Sequence, residues 1–326
     1  MRRGAIPRWL PEATAWAAVL VLLGGLVGAW SIRGFDTRQV TQAETPTIQG
    51  VREVTTRVPV PGASTKPGKA SSSRARSLVP SLGPPPGPQY DAPPASTAAP
   101  ENRYAFLAGI TDYRAPTHDT IGAANDVRFI AALLQRNGWL PENIRVVTDG
   151  AATGSAIRSG LSWLTSKSTP GTFTFFHYSG HVKQVGSTEK LWPVDRDWVT
   201  DSQLAGLLSP GSGKLWVDIA GCEAGGFMSG LPSGRVLFTG SSKSSQKSYE
   251  YPQWGESVWT GLLFDIGTGQ GGADADHNGQ VTAGEALRYA TYYAQALTRD
   301  QTPYGPQSPQ VAGDPVRGWT LSAPPA

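Results

Sequence analysis

The chain has 326 residues with a formal net charge of +3, and Cys222 is its single cysteine. One cysteine excludes an intrachain disulfide framework and a thiolate zinc cluster. From Arg103 onward there are 17 Lys and Arg residues against 19 Asp and Glu residues, so the basic excess belongs to the N-terminal part of the chain. Because no basic stripe with interleaved aromatic residues follows Arg103, the composition predicts no nucleic-acid partner.

The N-terminal segment 1–33 contains an apolar stretch, residues 14–32, without any charged side chain. Such a stretch is long enough to span a bilayer as a helix. Three arginines and one acid precede it: Arg2, Arg3, Arg8 and Glu12. The positive-inside rule then predicts a single-pass membrane anchor with its N-terminus in the cytoplasm and the rest of the chain outside. A cleavable signal peptide is the alternative, and it would give a secreted protein.

Residues 34–102 are rich in Pro, Ser, Thr, Ala and Gly and contain few large apolar side chains. This composition cannot bury a core, so we predict a disordered linker that tethers the rest of the chain. Residues 103–326 are numerous enough for one globular domain.

Strand and helix patterns alternate through that domain. Short β-branched and aromatic runs predict strands, and apolar residues at helical spacing predict the helices between them. The predicted strands are 104–110, 144–147, 172–178, 214–220 and 236–239, and the predicted helices are 123–136 and a segment marked by Ile157, Leu161 and Leu164. This alternation predicts an α/β fold whose mostly parallel sheet is covered by helices on both faces.

Two glycine-flanked motifs end predicted strands, one at His181 and the other at Cys222. If the two strands are parallel neighbours, both side chains emerge at the carboxyl edge of the sheet, where open α/β folds build their sites. The pair then predicts a cysteine nucleophile with a histidine base. A buried cysteine that serves only in packing is the alternative. His177, inside the strand, is expected to be packed or hydrogen-bonded.

Four motifs in this order carry a family resemblance: Gly109-Ile110-x-x-Tyr113, Ala123-Ala124-Asn125-Asp126, Tyr178-Ser179-Gly180-His181 and the strand that ends at Cys222. Together they resemble the caspase-like cysteine peptidases, particularly bacterial relatives of the metacaspases, over roughly residues 103–298. The resemblance implies a three-layer α/β/α sandwich and a Cys-His dyad that cleaves polypeptides. It assigns His181 as the base and Cys222 as the nucleophile.

The chain departs from this family at two positions near the dyad. Val182 follows the histidine where the family often has glycine, but the backbone N–H groups of Val182 and Cys222 can still form an oxyanion hole. Ala220 stands where metacaspases commonly have Asp, which weakens the basis for assigning a substrate. Asp126 and Ser179 match the family's pocket for a basic residue, so the resemblance favours cleavage after Lys or Arg.

Two other acidic residues and two other functional classes complete this part of the prediction. Glu223 and Glu250 are expected at the surface, where either could add negative charge to a cationic-substrate pocket. The alternatives to a peptidase are a catalytically inactive caspase-like scaffold on a membrane tether and a calcium-dependent adhesion module.

A second motif, residues 274–285, matches the twelve-residue EF-hand loop. Its oxygen ligands would be Asp274, Asp276, Asn278, the Gln280 carbonyl and Glu285, and Gly279 occupies the turn position. Hard oxygen ligands at this spacing suit Ca²⁺, which we predict to fix the loop within the peptidase domain. The alternative is a polar turn that ends in the capping box Thr282-x-x-Glu285. An exiting helix is predicted over 286–297 and a helix before the loop over 259–266.

Overall fold

The computed structural model describes Pro85 and residues 98–232, 234–301, 304–313 and 320–321. The predicted membrane segment and nearly all of the predicted linker lie outside these residues. Within them, no helix is both long and apolar enough to cross a bilayer.

A six-stranded sheet forms the centre of the domain, in the order β11-β8-β7-β3-β1-β2. Its strands are β1 (Arg103–Gly109), β2 (Ile144–Thr148), β3 (Phe173–Ser179), β7 (Lys214–Ala220), β8 (Val236–Gly240) and β11 (Gln310–Ala312). The first five are parallel, and only β11 runs antiparallel, against β8. The predicted α/β fold with a mostly parallel sheet is therefore confirmed.

Helices cover both faces of this sheet. They are α1 (Ala123–Arg136), α2 (Gly154–Lys167), α3 (Asp201–Leu208), the short α4 (Val258–Thr260), which continues as a π-helix (Gly261–Gly269), and α5 (Ala283–Leu297). Helix α1 has the predicted bounds. The predicted helix 259–266 falls within α4 and the π-helix, and α5 begins three residues before its predicted start.

The strands are buried on both faces, so they read as continuous apolar runs rather than as alternating ones. Leu107 and Phe175 face one core cluster, which also contains Ile130 of α1, while Phe106 and Phe176 face a second cluster together with α2. The two clusters on opposite faces of one sheet make the three layers of an α/β/α sandwich.

Helix starts follow local capping chemistry. The Thr153 side chain accepts the Ala156 N–H at the start of α2, and Thr200 and Thr282 form capping boxes with Gln203 and Glu285. Each box satisfies backbone N–H groups that have no partner within the helix.

Two small sheets near the site had no counterpart in the sequence analysis. The first contains β4 (Val182–Val185), β5 (Thr188–Leu191) and β6 (Val199–Thr200), and the second pairs β9 (Glu250–Tyr251) with β10 (Glu256–Ser257). Strands of two to four residues carry too few side chains to show a period of their own. Both sheets lie in segments that follow or face the carboxyl ends of the central strands.

Candidate active site

The ends of β3 and β7 bring the two halves of the predicted dyad to one edge. Ser179 of β3 is paired with Ala220 of β7, and the Gly180 N–H donates to the Ala220 carbonyl at 3.1 Å. A Cβ atom on Gly221 would lie 2.7 Å from the Gly180 carbonyl oxygen, so only glycine permits this approach. His181 and Cys222, the next residues along the chain, therefore leave adjacent parallel strands at the same carboxyl edge.

The His181 ring is held in one orientation. Its Nε2 atom lies 2.8 Å from the His118 carbonyl oxygen, and its plane packs against the Tyr113 ring at a centroid distance of 4.7 Å. A carbonyl can only accept, so Nε2 carries the proton and Nδ1 is the basic nitrogen of the neutral ring. Burial lowers the pKa of His181, and the His118 hydrogen bond partly opposes this effect. The neutral ring needed for a general base is therefore favoured.

The His118 carbonyl was not found by the sequence analysis. It is a backbone atom in an irregular loop, 63 residues before His181, so no residue type marks its role. Tyr113, by contrast, belongs to a motif that the sequence analysis singled out, and its hydroxyl accepts the His181 N–H at 2.9 Å.

Cys222 is half-buried, and residues of the segment before β9 contact its sulfur. The Ser248 N–H donates to Sγ at 3.5 Å. Burial raises the pKa of the Cys222 thiol, while the Ser248 hydrogen bond and the Lys247 charge oppose this effect. The resting thiol therefore keeps its proton and needs a base to become a nucleophile.

The predicted oxyanion donors have the required freedom. Among the described residues, no hydrogen bond from the Cys222 N–H to another group is present. The Trp192 N–H donates to the His181 carbonyl, which makes Val182 and Leu191 a pair that exchanges no hydrogen bonds across β4 and β5. Neither N–H group has a hydrogen-bond acceptor among the described residues, and their role as oxyanion donors stays a prediction.

Asp126 and Ser179 are brought together, but below the surface. The Ser179 hydroxyl donates to Asp126 Oδ2 at 2.5 Å, and the Ser257 N–H donates to Oδ1 at 3.0 Å. Asp126 is 0% exposed and Ser179 is 1% exposed. Burial raises the pKa of Asp126, and the Ser179 hydrogen bond opposes this effect. Asp126 and Ser179 are therefore covered by other residues and do not contact solvent.

Glu250 is half-buried beside the start of α1. Its carboxylate accepts the Ile121 and Gly122 N–H groups at 2.8 Å, at the start of α1. Burial raises the pKa of Glu250 to about 7, and these two hydrogen bonds oppose the shift. Glu250 also raises the pKa of the Cys222 thiol, so its charge is felt at the nucleophile. The role of Glu250 in a pocket for a cationic substrate stays a prediction.

A second histidine of β3, His177, is fully buried beneath the edge. Its Nδ1 atom lies 2.7 Å from Asp218 Oδ2, and both side chains are 0% exposed. Asp218 Oδ1 also accepts from the Thr239 hydroxyl and from Trp259 Nε1. His177 is hydrogen-bonded within the core, as the sequence analysis expected.

The loop 274–285 forms a compact acidic turn at a different place in the domain. Carboxylate oxygens of Asp274, Asp276 and Glu285 lie within 4.8 Å of one another. Asp274 accepts the Asn278 and Gly279 N–H groups, and Glu285 caps Thr282. The capping box is therefore present together with the carboxylate cluster, so the two interpretations of this motif do not exclude each other.

The caspase domain family model matches residues 102–304, which include the five parallel strands of the central sheet, His181 and Cys222, while β11 lies beyond the match. The chain belongs to the caspase domain family.

The curated relatives that the chain matches are metacaspases. Metacaspase-1 of Schizosaccharomyces pombe is 30% identical over 146 residues, which is 38% of this chain and 34% of the relative. Metacaspase-1A of Aspergillus fumigatus is 28% identical over 223 residues, or 61% of this chain and 51% of the relative.

These matches confirm the resemblance to caspase-like cysteine peptidases of the metacaspase type. The chain spans between a third and about half of the length of these curated relatives.

Proposed function

We propose that the chain is a cysteine endopeptidase with a His181–Cys222 dyad. The observation that carries this proposal is the contact between Gly180 and Gly221, which holds the two catalytic residues on neighbouring strand ends. The His118 carbonyl supports it, since it orients His181 with Nδ1 as the basic nitrogen.

In this mechanism His181 removes the Cys222 proton, and Sγ attacks the scissile carbonyl carbon. The N–H groups of Val182 and Cys222 bind the oxyanion. Collapse of the tetrahedral intermediate breaks the C–N bond, and His181 gives its proton to the leaving amine. A water molecule, deprotonated by His181, then hydrolyses the thioester and restores the thiol.

The test is hydrolysis of a peptide library by Cys222→Ala and Cys222→Ser beside the parent. We expect loss of measurable turnover in both variants with an unchanged thermal midpoint, because Cys222 lies at the edge and not in the core. A thiol-reactive peptide should label the parent at Cys222. Turnover by Cys222→Ala equal to the parent would eliminate the dyad, and an unlabelled, inactive parent would favour the alternative scaffold function.

The substrate position before the scissile bond is proposed to be Arg or Lys. Glu250 supports this because its charge raises the pKa of the Cys222 thiol, which indicates that the carboxylate lies near the sulfur. Asp126 is a second acidic group near Glu250, whose pKa it raises, although Asp126 is fully buried. A guanidinium or ammonium group would compensate the negative charge there, whereas an Asp side chain would be repelled.

Glu250→Gln should lower kcat/KM for Arg substrates by about tenfold or more, since it removes one charge-assisted contact. Asp126→Asn should have a smaller direct effect because Asp126 is fully covered. Glu142→Gln, an exposed acid in the 3-10 helix Pro141–Asn143, is the matched control. Library enrichment for Asp or for apolar residues at this position would reject the proposed specificity.

The loop 274–285 is proposed to bind Ca²⁺ through Asp274, Asp276, Asn278, the Gln280 carbonyl and Glu285. The support is the cluster of three carboxylates at ligand distance from one another and the EF-hand spacing. The ion would stabilise the start of α5.

Residues 14–32 are proposed to anchor the chain in a membrane, with the peptidase domain on the extracytoplasmic side. Alkaline carbonate extraction and protease protection of the full chain in its native membrane test this. Recovery of a shortened chain in the soluble fraction would favour the cleaved, secreted form.

A further inference from the structure

The segment 246–248 is hydrogen-bonded to Cys222 and Glu223, and Lys247 is its central residue. The Glu223 N–H donates to the Gln246 carbonyl at 2.8 Å, and the Ser248 N–H donates to Cys222 Sγ. Lys247 Nζ donates to Glu223 Oε1 at 2.8 Å. The backbone hydrogen bond at Gln246 and the hydrogen bond from the Ser248 N–H to Sγ therefore fix the chain on either side of Lys247.

Glu223 has an unusual backbone for its residue type. Its φ is +59°, in the left-handed region that non-glycine residues adopt at a cost of about 1 kcal/mol or more. In this conformation the Glu223 carboxylate reaches β4, where Oε2 accepts the Gln184 N–H at 2.9 Å. Glu223 thus connects Lys247 to the strand that follows His181.

We propose that Lys247 is a positioning residue that holds a positive charge beside the Cys222 thiolate, and that Glu223 sets how much of that charge the thiolate experiences. This inference rests on the proposed role of Cys222 as the nucleophile. The cation favours the thiolate over the thiol, while the anion disfavours it, although the two side chains are partners in one ion pair.

The electrostatic effects on the dyad agree with this geometry. Lys247 lowers the pKa of the Cys222 thiol, and Glu223 raises it. Lys247 also lowers the pKa of His181, which favours the neutral base. Among the described residues, Tyr249 and Glu250, on the same segment as Lys247, also interact electrostatically with the Cys222 thiol, and His181 is its proposed base.

An ion pair that served only to fasten the loop would predict a different result, and this gives the test. Lys247→Met and Glu223→Gln both break the pair, so a purely structural role would change the sulfur environment in the same direction in both variants. A charge acting on the thiolate predicts opposite changes.

The experiment is the pH profile of Cys222 alkylation by iodoacetamide in the full chain. At neutral pH we expect Lys247→Met to slow alkylation by about two- to tenfold and its profile to move to higher pH, because the thiolate fraction falls. Glu223→Gln should speed alkylation and move the profile to lower pH. Lys247→Arg should retain the parent profile, and Lys243→Met, an exposed lysine of the same loop, is the matched control.

Profiles that move together, or that do not move, would overturn the proposal. Thermal midpoints of each variant show whether folding is preserved. The alkylation readout needs no substrate, so it can fail while Cys222→Ala still abolishes hydrolysis, and it can succeed when no hydrolysis is found. Failure of this inference is thereby distinguishable from failure of the proposed function.

Discussion

The sheet edge that carries His181 and Cys222 and the loop 274–285 are both built from polar side chains, but they are assembled over different distances in the sequence. At the edge, His181 contacts a carbonyl 63 residues away, and the Cys222 sulfur contacts an N–H 26 residues away. In the loop, the hydrogen bonds of Asp276 and Glu285 span between 2 and 10 residues. The loop is a local structure, whereas the edge exists only when the sheet has formed.

This difference teaches where each site is vulnerable. A local turn can keep its shape when the core is perturbed. Its stability should depend mainly on whether Ca²⁺ binds to the carboxylates of the loop. The edge depends on strand register and on close backbone approach, so a change in the core beneath it should disturb catalysis without affecting the loop.

The largest effect is expected from the buried support of the edge. Asp218→Asn removes the charge that accepts from His177, Thr239 and Trp259 inside the core. Breaking a buried pair of this kind costs about 3–5 kcal/mol of unfolding free energy. Chemical denaturation measures it, and Asp112→Asn, an exposed acid near the edge, is the control. A loss below about 1 kcal/mol would mean that the pair does not support the edge.

A smaller effect, measured as the rate of peptide hydrolysis, is expected at the contact between Gly180 and Gly221. Gly221→Ala places a Cβ 2.7 Å from the Gly180 carbonyl oxygen and 2.9 Å from Val182 Cγ2, so the two strand ends must separate. A displacement near 1 Å costs about a hundredfold in rate. Gly206→Ala on α3 is the matched control, since its Cβ would meet no atom within 4 Å. Activity retained by Gly221→Ala would show that the dyad tolerates separation.

The loop should respond to calcium independently of the edge. Calcium at about a hundred times its Kd should stabilise the domain by about 2.7 kcal/mol, and Mg²⁺ much less, because Mg²⁺ demands a tighter octahedral shell. Glu285→Gln should abolish most of that gain while it keeps the capping box, which Gln also forms. Differential scanning calorimetry of metal-stripped protein measures the shift. If titration gives no heat of binding and millimolar calcium gives no shift in Tm, the loop is a capped turn that binds no calcium.

A pH dependence of stability is expected at Glu256, which is 6% exposed. Burial raises its pKa from the ordinary 4.5 to about 9, and Asp126 and Asp265 add to the shift. A raised carboxyl pKa stabilises the fold fully below pH 4.5, and that contribution is lost as pH rises toward 9. Glu256→Gln should therefore match the parent near pH 4.5 and have a higher Tm at pH 8, because Gln removes the cost of ionising a buried carboxyl. A parallel pair of Tm–pH curves would contradict this.

The sequence by itself determined the elements and their class. The apolar runs of β3 and β7 and the amphipathic pattern of α1 are local properties, and they predicted both the helix bounds and a mostly parallel sheet. Likewise, the carboxylate cluster of 274–285 follows from the spacing of its residues, since all of its members lie within one turn. The positions of His181 and Cys222 at strand ends were predicted in the same way, because a parallel neighbour relation puts strand ends on one edge.

Only the tertiary structure decided how those strand ends are completed. The His118 carbonyl and the Ser248 N–H are backbone atoms, and a backbone atom carries no residue identity that a sequence pattern can show. The burial of Asp126 against Ser179 and Ser257 depends on how segments more than 50 residues apart pack together. The contact of Glu250 with the N–H groups at the start of α1 depends on the same packing. The pairing of Lys247 with Glu223 arises for the same reason: the chain turns back past Cys222, and contacts made by such a return depend on three-dimensional packing rather than on spacing along the chain.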